Sequence, residues 1–206
     1  RFDGGLVGRF LVGDRVLSIR ASATSQRHEH TFGPVIENDR HHTLFGEASL
    51  GGSTRGHTWA FGSALQADLY RNRDVAGFDY TYTVPALFLQ DDYAFGQRLT
   101  VSGSGRVDFH SDYGPFFNPR GSALLRLPHN VTARLSAGTG VFAPTPFTEE
   151  TEAVGLTNLL NLRNVKVERA WSASGDVGWQ ASHVELNGSL FGSVIRDPVM
   201  LRLPTA

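Results

Sequence analysis

The chain has 206 residues, a formal net charge of −1 and no cysteine. The near-neutral charge argues against a nucleic acid partner, and the absence of cysteine excludes disulfides, cysteine metal sites and cysteine nucleophiles. Since no window approaches 18 uncharged apolar residues, the sequence predicts no transmembrane helix.

Apolar and polar residues alternate with a period of two along most of the chain. Val131 and Ala133, for example, alternate with Thr132 and Arg134. This period is typical of β-strands with one apolar and one polar face, and few helical patterns compete with it. The sequence therefore predicts an all-β chain, an antiparallel meander of about ten long strands. In chain order the predicted strands are 5–12, 15–30, 38–50, 57–70, 83–95, 98–114, 119–128, 131–142, 167–181 and 183–197.

The predicted connections alternate between short and long. The short ones are 13–14, 51–56, 96–97, 128–130 and 181–182, and the long ones are 31–37, 71–82, 111–118 and 143–166. In a meander this order puts the tight turns at one end of the sheet and the long loops at the other. Outer-membrane barrels have such an arrangement, with periplasmic turns and extracellular loops, whereas a sandwich has no reason to keep it.

The predicted strands are also long enough to cross a bilayer. A membrane-crossing strand needs about 9–11 residues, whereas strands of globular proteins usually have about 5–6. Aromatic residues gather near the strand ends, where interfacial girdles are expected. These observations favour a membrane barrel, with the apolar face in lipid, over the alternative of a soluble sheet with that face on a protein core.

Five segments occur in an order and spacing that agree with one known family. They are residues 84–93 (VPALFLQDDY), 103–110 (GSGRVDFH), 118–126 (NPRGSALLR), 138–150 (GTGVFAPTPFTEE) and 164–171 (NVKVERAW). Together they resemble the barrel domain of TonB-dependent outer-membrane receptors. The first two are similar to a pair of strands in that family, in which Gln-Asp-Glu-Tyr is followed by Gly-Leu-Arg-Tyr-Asp, and the other three resemble the segments that come next.

The resemblance implies a segment of a 22-stranded transmembrane barrel that encloses an N-terminal plug. It implies part of an active transporter in the outer membrane of a Gram-negative bacterium, for a ferric siderophore or a similar scarce nutrient. The expected partners are outer-membrane lipid, the nutrient, and the TonB complex acting through the plug. We expect residues 1–206 to be a partial barrel domain, without the plug and the terminal strands, and to need no cofactor.

Four residues form the most metal-like group in the sequence. His28 and His30 share the polar face of one predicted strand, and Asp39 and His41 share the polar face of its antiparallel neighbour. Converging imidazole and carboxylate donors suit zinc, copper or ferric iron. The alternatives are a solvated loop base rich in His and Arg, and a transient contact with passing substrate.

The ligand-binding candidates on the barrel wall are the three histidines of this group together with a charged pair. Arg106 and Asp108 face the predicted lumen. In that position they either form ion pairs within the wall or line a path for the solute.

The longest predicted connection, 143–166, supplies the remaining ligand-binding candidates, Phe147, Glu149 and Glu150. We predict that it captures ligand from outside, with an inert packed loop as the alternative. Apolar residues spaced near 3.6 between 154 and 162 predict one or two helical turns in it.

Two alternatives to a transporter remain, of which the first is an enzyme. A ten-stranded outer-membrane protease of the omptin type would act at its outer rim, with His28, His41, Asp39 or Asp112 as catalytic candidates. A passive pore or adhesion barrel is the second alternative. Because the resembling segments occur in order, we favour the transporter and predict that the chain is not an enzyme.

Overall fold

The described residues form one antiparallel sheet. The computed structural model describes residues 1–145, 155–159 and 165–199. The strands are β1 (Phe2–Val12), β2 (Arg15–Phe32), β3 (Val35–Thr54), β4 (His57–Asn72), β5 (Tyr80–Phe95), β6 (Leu99–His110), β7 (Gly114–Leu127), β8 (Val131–Phe142), β9 (Glu168–Gln180) and β10 (Glu185–Arg196). Each strand pairs with the next in chain order, which confirms the predicted all-β meander. No helix in these ranges is long and apolar enough to cross a bilayer.

The cross-strand register gives the sheet one apolar and one polar face. Residues directly opposite each other on neighbouring strands share a face. Leu50 lies opposite Phe61, which lies opposite Leu89. Phe61 and Leu89 are half exposed or more. On the other face, His41 lies opposite Tyr70. A large apolar face without a protein layer over it is the surface that a membrane barrel presents to lipid, and the polar face then borders the lumen.

The apolar face of β2, β3 and β4 becomes charged toward the β2–β3 turn. Arg27 lies opposite Arg40, and Arg40 lies opposite Arg71, all on the same face as Leu44. An arginine on the lipid face costs about 2–4 kcal/mol at the bilayer midplane and close to nothing near its surface. We therefore expect the segments of β2–β4 at and above this arginine row to lie beyond the hydrocarbon, and we call them the outer rim.

The connections at the opposite end of the sheet are all short, as predicted. They comprise residues 13–14, 55–56, 96–98, 128–130 and 181–184. At the outer end, the longer connections are 73–79 and 143–167.

Two of the four predicted long loops are wrong. β2 and β3 meet at the two-residue turn 33–34, and β6 and β7 meet at 111–113. The strands continue into the regions predicted as loops, because Gly33 (φ 60°) and Gly114 (φ 80°) supply the left-handed backbone that such tight turns require. Strict alternation of short and long connections is therefore not a property of this sheet.

Candidate functional site

A pocket with a volume of about 510 Å³ lies on the polar face at the outer rim. β2, β3, β4 and β5 contribute its walls, and residues from the β8–β9 connection cover part of it. Its lining includes His28, His30, Glu37, Asp39, His41 and Tyr70.

The histidine–aspartate group in this pocket is a product of strand register. His28 lies directly opposite Asp39, and His30 lies two residues further along the same face of β2. Nδ1 of His28 is 2.8 Å from Oδ1 of Asp39, and Nε2 of His30 is 3.3 Å from its Oδ2. The Asp39 side chain is only 4% exposed, whereas the two imidazoles are 38% and 46% exposed. One buried carboxylate thus holds two accessible imidazoles.

The structure brings together three of the four residues in the metal hypothesis. One donor atom from each of His28, His30 and Asp39 lies within 4.8 Å of the other two. His41 is directed elsewhere, because its Nε2 is 2.6 Å from Oδ1 of Asp68 on β4. His41 still lines the same pocket, next to the three-residue group rather than within it.

Glu37 is a site residue that the sequence analysis missed. Its buried carboxylate accepts hydrogen bonds from the backbone N–H of Leu156 (3.0 Å) and from the backbone N–H and hydroxyl of Thr157 (2.8 and 2.6 Å). These bonds hold part of the β8–β9 connection against β3. The predicted strand began at residue 38, so Glu37 fell in a loop, although it shares the alternating face of Asp39 and His41.

The same part of the connection contains the predicted helical turn. Leu156–Asn158 form a short 3-10 helix, which confirms a turn of helix within 154–162. Leu156 is buried with Tyr70 and Phe78, and Leu159 packs against this cluster. Among the apolar residues that predicted the turn, Leu156 and Leu159 therefore pack this part of the connection onto β4 and the 73–79 loop.

Stacked aromatic rings extend along the polar face away from the pocket. The rings of Tyr70 and Tyr80 are 5.6 Å apart and nearly parallel, and those of Tyr80 and Tyr82 are 4.5 Å apart. His110 follows at 4.8 Å from Tyr82. In the sequence, the period-two spacing of Tyr80 and Tyr82 indicates that these two rings lie on one strand face.

Arg106 and Asp108 lie in an adjacent cavity of about 400 Å³. Nε of Arg106 donates a 2.7 Å hydrogen bond to Oδ1 of Asp108, and the Asn118 amide donates to Oδ2 at 3.4 Å. Asp68 lines both cavities, so the two are neighbours on the polar face. The pair forms an ion pair within the wall and also borders the cavity. Phe147, Glu149 and Glu150 lie outside the described residues.

Long strands with a lipid-facing apolar face and a polar inner face are the wall of a transmembrane β-barrel. A family model described as TonB dependent receptor-like, beta-barrel, matches residues 7–205. The chain therefore belongs to the TonB-dependent receptor family, whose members are transporters of the Gram-negative outer membrane and not enzymes. This assignment confirms the resemblance, the barrel segment and the prediction that the chain is not an enzyme, and it removes the support for the protease alternative.

Several solved structures share this fold. The siderophore receptor PirA from Pseudomonas aeruginosa has 12% identity and a TM-score of 0.69, over 93% of this chain and 44% of that one. The ferric yersiniabactin uptake receptor FyuA from Yersinia pestis has 17% identity and a TM-score of 0.70, over 95% and 36%. The copper transporter OprC has 12% identity and a TM-score of 0.73, over 95% and 38%.

At these identities the likeness shows the fold alone, and the chain spans less than half the length of each of these proteins. The search of curated proteins found no match.

Proposed function

We propose that the chain forms part of an outer-membrane receptor that takes up a ferric siderophore or a similarly scarce nutrient with energy from the TonB complex. The observation that carries this proposal is the pocket at the outer rim, on the inner face and beyond the hydrocarbon. Its volume of about 510 Å³ falls within the range of small-molecule sites, about 300–1,000 Å³. In this pocket the stacked tyrosines supply apolar surface, and the histidine–carboxylate pairs supply polar contacts.

The architecture that we propose is a larger barrel with a plug inside it. In the described sheet, β1 and β10 each pair with a neighbour on one side only. Hydrocarbon does not tolerate unpaired backbone N–H and C=O groups. Further strands of the same receptor would satisfy both edges, and a plug reached by the TonB complex would gate the lumen.

Uptake by cells that carry the complete receptor tests this proposal. We expect accumulation of iron from one of a panel of radiolabelled ferric siderophores, and we expect a tonB deletion to abolish it. Equal uptake with and without TonB, or ion conductance through the closed barrel, would instead support a passive pore.

A matched pair of tyrosine variants tests the role of the pocket. Tyr80→Ala removes a ring from the pocket wall, whereas Tyr93→Ala removes a ring from the far end of the same strand. We expect Tyr80→Ala to weaken nutrient binding and Tyr93→Ala to leave it unchanged. Equal effects would place the binding site elsewhere on the receptor.

A further inference from the structure

We propose that His28, His30 and Asp39 bind a divalent transition-metal ion of the zinc or copper type at the outer rim. The geometry of these three residues supports metal binding whether or not the receptor transports the metal. We also propose that the receptor carries this metal as cargo, and this second part rests on the proposed transport function.

The distances between the donor atoms fit one metal ion. Zinc bonds to imidazole nitrogen and carboxylate oxygen are about 2.0–2.2 Å long, which puts neighbouring donors of a tetrahedral site roughly 3.2–3.6 Å apart. The donors of His28 and His30 lie 2.8 and 3.3 Å from the Asp39 oxygens. Because all three donor atoms lie within 4.8 Å of one another, side-chain shifts of about 1 Å bring them to the separations of a tetrahedral site.

The charge balance of the site also favours a cation. Asp39 is buried, and in the described part of the chain its ion-pair partners are these two imidazoles rather than a lysine or arginine. Buried carboxylates in proteins are paired or coordinate metals. A metal ion bound between the three side chains places a positive charge next to this buried carboxylate.

Two other histidine–carboxylate pairs on the sheet differ from the His28–His30–Asp39 group in the number of imidazoles. His41 lies 2.6 Å from Asp68, and His57 lies 2.7 Å from Asp91. Each of these carboxylates has one imidazole, and within the described ranges neither pair belongs to a group of three donors that could hold an ion. His30, two residues after His28 on one strand face, creates the third donor.

The number of ligands suits a metal that has to be released. Structural zinc sites are closed by four protein ligands, whereas sites with three keep an open position. Here the imidazoles are accessible from the pocket, and the His30 ring stacks on Phe32 at 6.2 Å, which limits its rotation. The open position is available to water or to a donor from a chelator that carries the metal.

Titration of the purified complete receptor with metal tests the site. We would strip the protein with a chelator in detergent and titrate it with ZnCl₂ and with CuCl₂ by calorimetry. We expect one ion per chain, and we expect His28→Gln, His30→Gln and Asp39→Asn each to weaken binding by more than about 10-fold. Failure of the unaltered receptor to bind either ion overturns the proposal.

Two histidine variants outside the group serve as matched controls. His42→Gln changes a histidine on the opposite face of β3, and His57→Gln changes the histidine of a one-imidazole pair. Both should bind metal as the unaltered receptor does. If they lose as much affinity as His28→Gln, the loss is not specific and the proposal fails.

The spectrum of bound Cu²⁺ reports the ligands directly, whatever the effect on affinity. In electron paramagnetic resonance we expect coupling to two imidazole nitrogens in the unaltered receptor and to one in His28→Gln or His30→Gln. An unchanged spectrum in both variants overturns the assignment. Far-UV circular dichroism and heat-modifiable gel migration confirm that each variant is folded.

These measurements need no transport, so the two proposals fail separately. Metal binding without TonB-dependent uptake leaves the site intact and overturns the proposed function. TonB-dependent uptake of a nutrient by a receptor that binds no metal overturns the site alone.

Discussion

Glu37 and Thr157 lie 120 positions apart in the chain, yet the Thr157 hydroxyl donates a 2.6 Å hydrogen bond to Oε1 of Glu37. Hydrogen bonds to a charged group contribute about 1.5–3 kcal/mol each, and Glu37 accepts three from this segment. The Tyr113 hydroxyl also donates to the carbonyl of Pro144, at the start of the same connection. The described parts of the longest connection are therefore held next to the pocket at two places, Pro144 and Leu156–Thr157.

The contact between Gly155 and the pocket wall gives a first prediction. Gly155 has φ 79°, and a Cβ at this position would lie 2.9 Å from the Phe32 ring and 3.1 Å from Oε1 of Glu37. Gly155→Ala should therefore release 155–159 from β3 and expose it to proteases. The measurement is limited proteolysis of the receptor in detergent, with cleavage sites mapped by mass spectrometry.

Gly33→Ala is the matched control for this change. Gly33 also has a positive φ, 60°, but a Cβ there meets nothing within 4 Å. Both variants carry the backbone strain of an alanine at positive φ. This strain is larger at Gly155, whose ψ of 149° lies in a region essentially confined to glycine, and only Gly155→Ala adds the clash. Equal protection of 155–159 in the two variants would show that the close contact does not hold the segment.

Period-two alternation was sufficient to predict the strands and the placement of His28, His30 and Asp39 on one face. It did not predict where strands turn, since Gly33 and Pro34 fell within the predicted long loop 31–37 although the chain pairs on both sides of them. It also did not predict that Glu37 binds Thr157. Contacts between residues so distant in sequence depend on where the sheet places them, and local pattern carries no information about this.

A second prediction concerns the limit of the hydrocarbon on the apolar face. Leu65 is half exposed and lies opposite Gly46 and Pro85, well below the arginine row. Leu69 lies opposite His42, which is two residues along β3 from Arg40 of that row. Leu65→Arg should destabilise the receptor by about 2–4 kcal/mol in lipid, and Leu69→Arg by only about 0–1 kcal/mol. Reversible unfolding in phospholipid vesicles measures both. Equal costs would mean that the arginine row does not mark the membrane boundary.

A third prediction concerns close strand packing at Gly62. A Cβ there would overlap the carbonyl oxygen of Ala48 and lie 2.6 Å from Cζ of Phe88, whereas a Cβ at Gly103 meets nothing within 4 Å. Gly62→Ala should lower the free energy of unfolding by about 1–3 kcal/mol. Gly103→Ala should leave it unchanged or raise it by up to about 1 kcal/mol, because alanine restricts the unfolded chain. The midpoints of urea unfolding in detergent measure both variants. Equal losses of stability would instead indicate a general cost of alanine in strands.

The last prediction is the pH dependence of the loop 73–79. Oδ2 of Asp74 accepts hydrogen bonds from the side-chain amide of Asn38 (2.9 Å) and from its backbone N–H (2.7 Å). These bonds favour the ionised form and lower the pKa of Asp74 below its ordinary value. A group with a lowered pKa in the folded state stabilises that state above its ordinary pKa, and the contribution is lost as the pH falls through the lowered value. The loop should therefore be held against β3 at neutral pH and released only below about pH 3.9.

A nitroxide spin label on the loop follows this release, because residues 1–206 contain no cysteine and Ala76→Cys adds one labelling site to them. Ala76 is exposed in the loop, so the label should not disturb its packing. We expect the label to become more mobile as the pH falls below the ordinary pKa of an aspartate. In the same labelled protein with Asp74→Asn, no carboxylate titrates at this position, and label mobility should be the same at neutral and at acid pH. An acid transition that persists in the Asp74→Asn protein would assign the release to another group.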